Sequence, residues 1–356
     1  MNHHTYGFVS VMVIAVMVFV LTPAITAVGQ TPETTKAKTI SLGLVSIAFQ
    51  NEIEQHFRNF VQYVAGRLSP DTEGQVIVAS TALQMVKLLD QKKVDFYMES
   101  PYPTYLINKQ GVAVLILRRW KGGVPEYRSL IFAKRDAGIS RLEDLRGKMI
   151  AFEDPGSTSG YFLPKILLLR NGFRLTEKSG PDAKVAPQEI GYIFESADRT
   201  IIELVFDNQV AAGAFSDDDY NALAEEKRAP ITILARSETL PRHLVSARRD
   251  LDPAVRKRVT EILLSMHQNE EGRRILQQTD ATTRFDLLPG GEPAARRKLI
   301  ETFRPRGKSR SLSKRKREVR PRHSRRNSHG NPCRSQKIFQ LRSTTYSDLP
   351  FSFCLV

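Results

Sequence analysis

The sequence predicts an α/β fold of two lobes, and three observations predict it. Strand-like apolar runs alternate with helical patterns from Thr39 onward, and a second alternation starts at Leu142 and closes near Ile231–Ala235. The segments that follow, including apolar His243–Ala247, are most simply placed by a return of the chain to the first lobe. At 356 residues the chain is long enough for both lobes.

In order, Thr39–Ser46 reads as a strand. Glu52–Leu68 reads as an amphipathic helix, with Ile53, Phe57, Phe60, Val61, Val64 and Leu68 at helical spacing. Gln75–Ala79 is a strand, Thr81–Asp90 a helix and Val94–Tyr97 a strand, with further strands at Val112–Leu117 and Tyr127–Ala133. Strands separated by helices imply mainly parallel sheets. After the second alternation, Pro253–Met266 carries Val255, Val259, Ile262, Leu263 and Met266 on one face, and Pro293–Phe303 is a last helix. The division that follows is 30–133 plus 236–303 for lobe 1 and 134–235 for lobe 2.

The chemically distinctive stretch is Glu153–Pro164. A strand (Lys148–Phe152) runs into it and a helix (Tyr161–Arg170) leaves it, so Ser157, Thr158 and Ser159 stand in a row at a helix start. The first amides of a helix lack intrahelical acceptors, and beside hydroxyls they make an anion-binding arrangement. The plainer alternative is a Pro155-Gly156 turn followed by a single hydroxyl cap.

The net charge of +15 suggests a nucleic-acid partner until it is located. Residues 304–356 hold 15 Lys and Arg against two acids (Glu318 and Asp348), which leaves only +2 for residues 1–303. Both cysteines, Cys333 and Cys354, lie in the same tail, so the body has neither a disulfide nor a thiolate metal site. The tail, with its basic cluster Lys314–Arg317, has the composition of a disordered segment. Its abrupt onset after a terminal helix reads as out-of-frame or read-through coding rather than a nucleic-acid arm. At the other end, Phe8–Leu21 is continuously apolar and followed by Pro23 and small residues, so residues 1–29 read as a secretory signal peptide, or alternatively as an uncleaved anchor. Either way the body is exported.

The body, from about Thr39 to Phe303, resembles the periplasmic substrate-binding proteins of phosphate, phosphite and phosphonate ABC importers. The resemblance rests chiefly on Asp154-Pro155-Gly156-Ser157-Thr158-Ser159-Gly160-Tyr161 with Pro164. Val94-Asp95, Leu142–Lys148, Asp207–Val210 and Ala212–Ala214 support it. The resemblance implies a type II periplasmic binding protein fold with a ligand cleft between the lobes. It also implies a small phosphorus oxyanion as ligand, held at Ser157, Thr158, Ser159 and Gly160, with Ser46 contributing from the loop Ser46–Asn51. An inner-membrane permease would be the partner of a periplasmic monomer without cofactor, metal or catalytic residues. A ligand-sensing domain of a truncated receptor is the alternative.

Two positions depart from the family pattern. Where a phosphonate binder places a tyrosine after the third strand, this chain has Glu99, and where it places a histidine before a later helix, this chain has Asp198. An ionised carboxylate about 4 Å from a phosphoryl oxygen costs about 4 kcal/mol at an effective dielectric of about 20. A helix start returns up to ~2 kcal/mol. A bare dianion is therefore disfavoured, unless the acid points away, accepts from a P–OH, or holds the cationic end of a zwitterion. Asp198 also reads as an ordinary helix N-cap. Asp217–Asp219, Tyr102, Tyr105 and Trp120 are further candidates for lining the cleft, and His56, His243 and His267 show no metal-ligand spacing.

Overall fold

Helix α1 shows how the sequence pattern becomes structure. Its apolar stripe buries Phe57, Phe60, Val61 and Val64, while Ile53 and Leu68 pack at the margin. Each such side chain contributes roughly 1.5–3 kcal/mol by leaving water. The computed structural model describes residues 38–46, 50–194 and 200–304. Phe8–Leu21, Asp198 and the basic tail beyond Arg304 lie outside the described residues.

The chain runs β1 (Lys38–Val45), α1 (Gln50–Leu68), β2 (Thr72–Ala79), α2 (Ala82–Asp90), β3 (Phe96–Glu99), α3 (Pro101–Asn108) and β4 (Ala113–Lys121). Then come β5 (Glu126–Tyr127), β6 (Ser129–Lys134) and β7 (Met149–Phe152). A π-helical turn (Thr158–Phe162) opens directly into α4 (Leu163–Arg170), followed by β8 (Arg174–Glu177) and β9 (Glu189–Phe194). Next are α5 (Ile201–Phe206), β10 (Ala212–Ser216), α6 (Asp217–Ala222), α7 (Glu225–Arg228), β11 (Ile231–Arg236) and β12 (Leu240–Pro241). The chain ends with β13 (His243–Arg248), α8 (Pro253–Ser265), α9 (Glu270–Gln278), β14 (Thr282–Leu287) and α10 (Gly291–Phe303).

These strands form two six-stranded sheets, ordered β14-β4-β13-β3-β1-β2 and β11-β6-β10-β7-β9-β8. The sheets are mixed rather than mainly parallel as expected. In the first, β1 pairs in parallel with β2 and β3, but β13 runs antiparallel to β3 and β4, and β14 antiparallel to β4. In the second, β6 is antiparallel to both β10 and β11. The reason is topological: β13 enters the first sheet on the way back from the second lobe, and β6 enters the second sheet straight from the first.

The expected division also moves. The strand expected at Tyr127–Ala133 falls within lobe 1 of that division, yet β6 belongs to the second sheet, and the link between the lobes is the short pair β5–β12 (Leu240 opposite Tyr127, Pro241 opposite Glu126). The second lobe has its own apolar centre, including Ile131, Ile150, Phe152, Leu168, Ile190 and Ala214. A separate cluster joins Leu163 of α4 to Leu115, Tyr127, Leu240, Leu244, Leu299 and Phe303. Among the described residues, no helix is long and apolar enough to cross a membrane.

Candidate functional site

Two helix starts face each other where the lobes meet. In lobe 2, β7 ends at Phe152 and the chain turns through Asp154, whose Oδ1 accepts from Gly156 N–H (2.7 Å), an Asx turn that sets up the helix entry. Ser157 is the N-cap: its Oγ accepts from Gly160 N–H (2.9 Å) and donates to Glu153 Oε2 (2.5 Å). Gly160 is glycine for a spatial reason, because a Cβ there would lie 2.1 Å from Glu153 Oε2 and 2.4 Å from Glu153 Cγ.

Thr158, only 2% exposed, reaches across to lobe 1. Its Oγ1 donates to Ser100 Oγ (2.9 Å) and accepts from Tyr102 N–H (2.9 Å) at the start of α3. Ser159 is anchored through its carbonyl, which accepts from Ser129 Oγ (2.5 Å). Two of the three hydroxyl protons are thus already given, to Glu153 and to Ser100, while the hydroxyl of Ser159 makes no hydrogen bond among the described residues. Being the first two residues of the π turn, Thr158 and Ser159 also present amides that have no acceptor within it.

Glu99 lies at the same junction, half-buried at the end of β3. Its carboxyl accepts from Val45 N–H (2.6 Å) and Ser100 N–H (3.3 Å). Burial pushes its pKa up to about 8; the two amides and Arg119 pull it down, and Asp154 raises it further. At neutral pH the group is mostly the uncharged acid, so the repulsion expected from an ionised Glu99 is largely absent. Ser46 follows Val45 directly, and its N–H donates to Ala79 O (2.8 Å). Asp198 is outside the described residues, so its side chain is not placed.

Arg242, Tyr127 and Arg128, which the sequence did not single out, also lie at the junction. Arg242 stacks over the ring of Tyr127 (4.6 Å) and donates to Asp218 Oδ2 (2.6 Å). Arg128 N–H donates to Asp217 Oδ1 (2.9 Å), so the acidic triplet begins α6 and is tied to the connecting segments. His243 is held well below its usual pKa, first by burial and then by Arg119, Arg242 and Lys121, and is neutral at physiological pH. Tyr102 is drawn into the junction by stacking on Phe162 (3.5 Å), whereas Trp120 stacks on Arg284 (3.6 Å) within the first sheet. Among the described residues, no group of three or more His, Cys, Asp or Glu side chains could hold a metal ion.

The family of periplasmic phosphonate substrate-binding proteins of ABC transporters matches residues 42–287. The chain belongs to that family. A curated relative, the phosphate-import protein PhnD of Mycolicibacterium smegmatis, is 26% identical over 163 residues, 44% of this chain and 49% of that protein. The match thus spans about half the length of that relative. Among solved structures, XAC2383 from Xanthomonas citri, bound to ATP, is 27% identical, covering 75% of this chain and 96% of that chain with a TM-score of 0.67. PhnD1 from Prochlorococcus marinus, in complex with methylphosphonate, is 16% identical, covering 75% and 97% of the two chains with a TM-score of 0.56, and shows the shared fold. The type II periplasmic binding protein architecture expected from the sequence is the one found. The role of the family is to bind a substrate for transport rather than to transform it.

Proposed function

We propose that this protein is the solute-binding component of an ABC importer, and that it closes its lobes on a small phosphorus oxyanion in the periplasm and hands it as a monomer to a membrane permease. The observation that carries the reading is the Ser157–Gly160 turn, a hydroxyl-bearing helix start aimed at the other lobe. The ligand would take the amides of Thr158 and Ser159 and the hydroxyl of Ser159, and would replace Ser100 as the acceptor of the Thr158 proton. Glu99, held neutral by burial, would tolerate the anion and donate to it, so phosphate, phosphite and a phosphonate all remain chemically acceptable. Ser46, next to Val45, would add to the site, and Asp198 would be the further contact that the family resemblance implies.

A second reading of the ligand is favoured by one observation: the relative XAC2383 was solved with ATP bound. Here the same turn would hold the phosphate chain of a nucleotide. Calorimetric titration of the full chain with phosphate, phosphite, methylphosphonate, 2-aminoethylphosphonate and ATP tests both. The first reading expects saturable binding of at least one small oxyanion in preference to ATP; tighter binding of ATP would favour the second, and heat from none of the five would overturn both.

A further inference from the structure

The hydroxyl turn continues without a break into α4, and both ends of that unit are fastened to α10. At the near end, Phe162 stacks on Tyr102 and meets Phe303 of α10 edge-on (5.6 Å), and Phe303 also contacts the rings of Tyr102 (5.5 Å) and Tyr105 (5.6 Å). Phe303 is 2% exposed and Leu299 is buried beside it, in the cluster that receives Leu163 of α4. At the far end, Arg170 Nη2 donates to the carbonyls of Thr302 (3.0 Å) and Glu301 (3.3 Å), which places a cation on the C-terminus of α10. Glu238, in the segment leading out of lobe 2, accepts from Lys298 (2.6 Å) and Thr302 Oγ1 (3.2 Å) of α10 and pairs with Arg170 (3.5 Å).

These contacts use none of the groups proposed above to touch the ligand, yet they span the lobes: α3, β4 and α10 lie on one side, α4 and Glu238 on the other. The ion pairs are partly exposed and individually weak. The buried aromatic group is the stronger fastening.

We propose that α10 is a latch between the lobes, and that Phe303, Arg170 and Glu238 are positioning residues that hold the Ser157–Gly160 turn against α3 and so lengthen the time a ligand stays bound. The retention half of this proposal rests on the function proposed above; the closure half does not. A ligand held by hydroxyls alone would leave as fast as the lobes open. With the latch, opening also requires Phe162 and Phe303 to part and α10 to lose its C-terminal cation.

The test uses the full chain with Cys333 and Cys354 replaced by Ser and spin labels at Lys87→Cys and Lys184→Cys, exposed positions in the two lobes. Distances are compared for the parent, Phe303→Ala, and the paired change Arg170→Gln/Glu238→Gln, which keeps the aromatic cluster should Phe303→Ala fail to fold. Without ligand, the label-to-label distance should lengthen in the variants. With inorganic phosphate or methylphosphonate as probe, dissociation should quicken about tenfold for Phe303→Ala and roughly threefold for the pair, with association within about twofold of the parent. An unchanged distance distribution in a folded variant would overturn the latch, even if melting temperature fell. Should neither probe bind the parent, the ligand reading fails while the distance measurement still decides the latch.

Discussion

The two helix starts that meet in the cleft look alike in outline and differ in what they can offer an anion. The start of α3 carries prolines at 101 and 103, so the amide of Tyr102 is its only donor before Thr104, and that amide is taken by Thr158 Oγ1. Ser100 makes no side-chain cap there. The start of the π turn in lobe 2 is capped by Ser157, opens with the amides of Thr158 and Ser159, and carries a Ser159 hydroxyl that makes no hydrogen bond among the described residues. Proximity of two positive helix ends does not by itself make a two-sided anion clamp. One end opens with amides that have no acceptor within its turn, and the other uses its donor to grip the first.

The largest effect should come from removing the chemistry of the richer start. Ser157→Ala with Thr158→Ala removes the cap and the interlobe hydroxyl, and calorimetry should show the oxyanion affinity reduced at least about 100-fold, roughly 3 kcal/mol. The same substitutions should leave the first sheet intact by circular dichroism.

Glu99 sharpens the comparison from the side of α3. Its folded pKa of about 8 lies above its ordinary value of 4.5, so the folded state holds an extra proton between these limits. Stability contributed by that proton is present below about pH 4.5 and is lost as pH rises through 8. Glu99→Gln should therefore flatten the pH dependence, being more stable than the parent at pH 9 by about 2 kcal/mol once partial exposure is allowed for. The affinity of the parent for an anion should fall as pH rises through 8, and that of Glu99→Gln should not. An affinity that rises through pH 8 would point instead to a ligand presenting a cation to the ionised carboxylate.

A smaller loss is expected at Gly160, where the Cβ of Ala would meet the Glu153 side chain that Ser157 holds in place. Gly160→Ala should cost about 1.5 kcal/mol in denaturant unfolding and weaken ligand binding with it. The smallest effect separates the two starts most cleanly. Pro101→Ala restores an amide to α3 and should change affinity by less than about 0.5 kcal/mol, because the proposed site draws its donors from the other side.

Much of this was legible in the sequence. The α1 stripe, the Ser157–Gly160 turn and the second strand–helix alternation are local patterns, and local patterns fix local structure. The site's other half depends on pairings between residues far apart in the chain. The partner that orients Glu99, the amide of Val45, is 54 positions away, and that distance hid how burial would neutralise the acid. Arg242 over Tyr127 becomes visible only once β12 returns beside β5, and β6 could be assigned to the second sheet only by its pairing with β10 and β11. The acidic triplet at 217–219, a cleft-lining candidate in the sequence, forms the first turn of α6, where Asp217 and Asp218 fix the connecting segments through Arg128 and Arg242.

The central claim is that the anion sits on the lobe 2 start, and a crystal structure with bound methylphosphonate or phosphate tests it most directly. Phosphoryl oxygens should lie about 3 Å from the Thr158 and Ser159 amides and the Ser159 hydroxyl, with a Glu99 carboxyl oxygen in hydrogen-bond reach. An anion seated instead against Arg242 and His243, with the Ser157–Gly160 turn untouched, would contradict it.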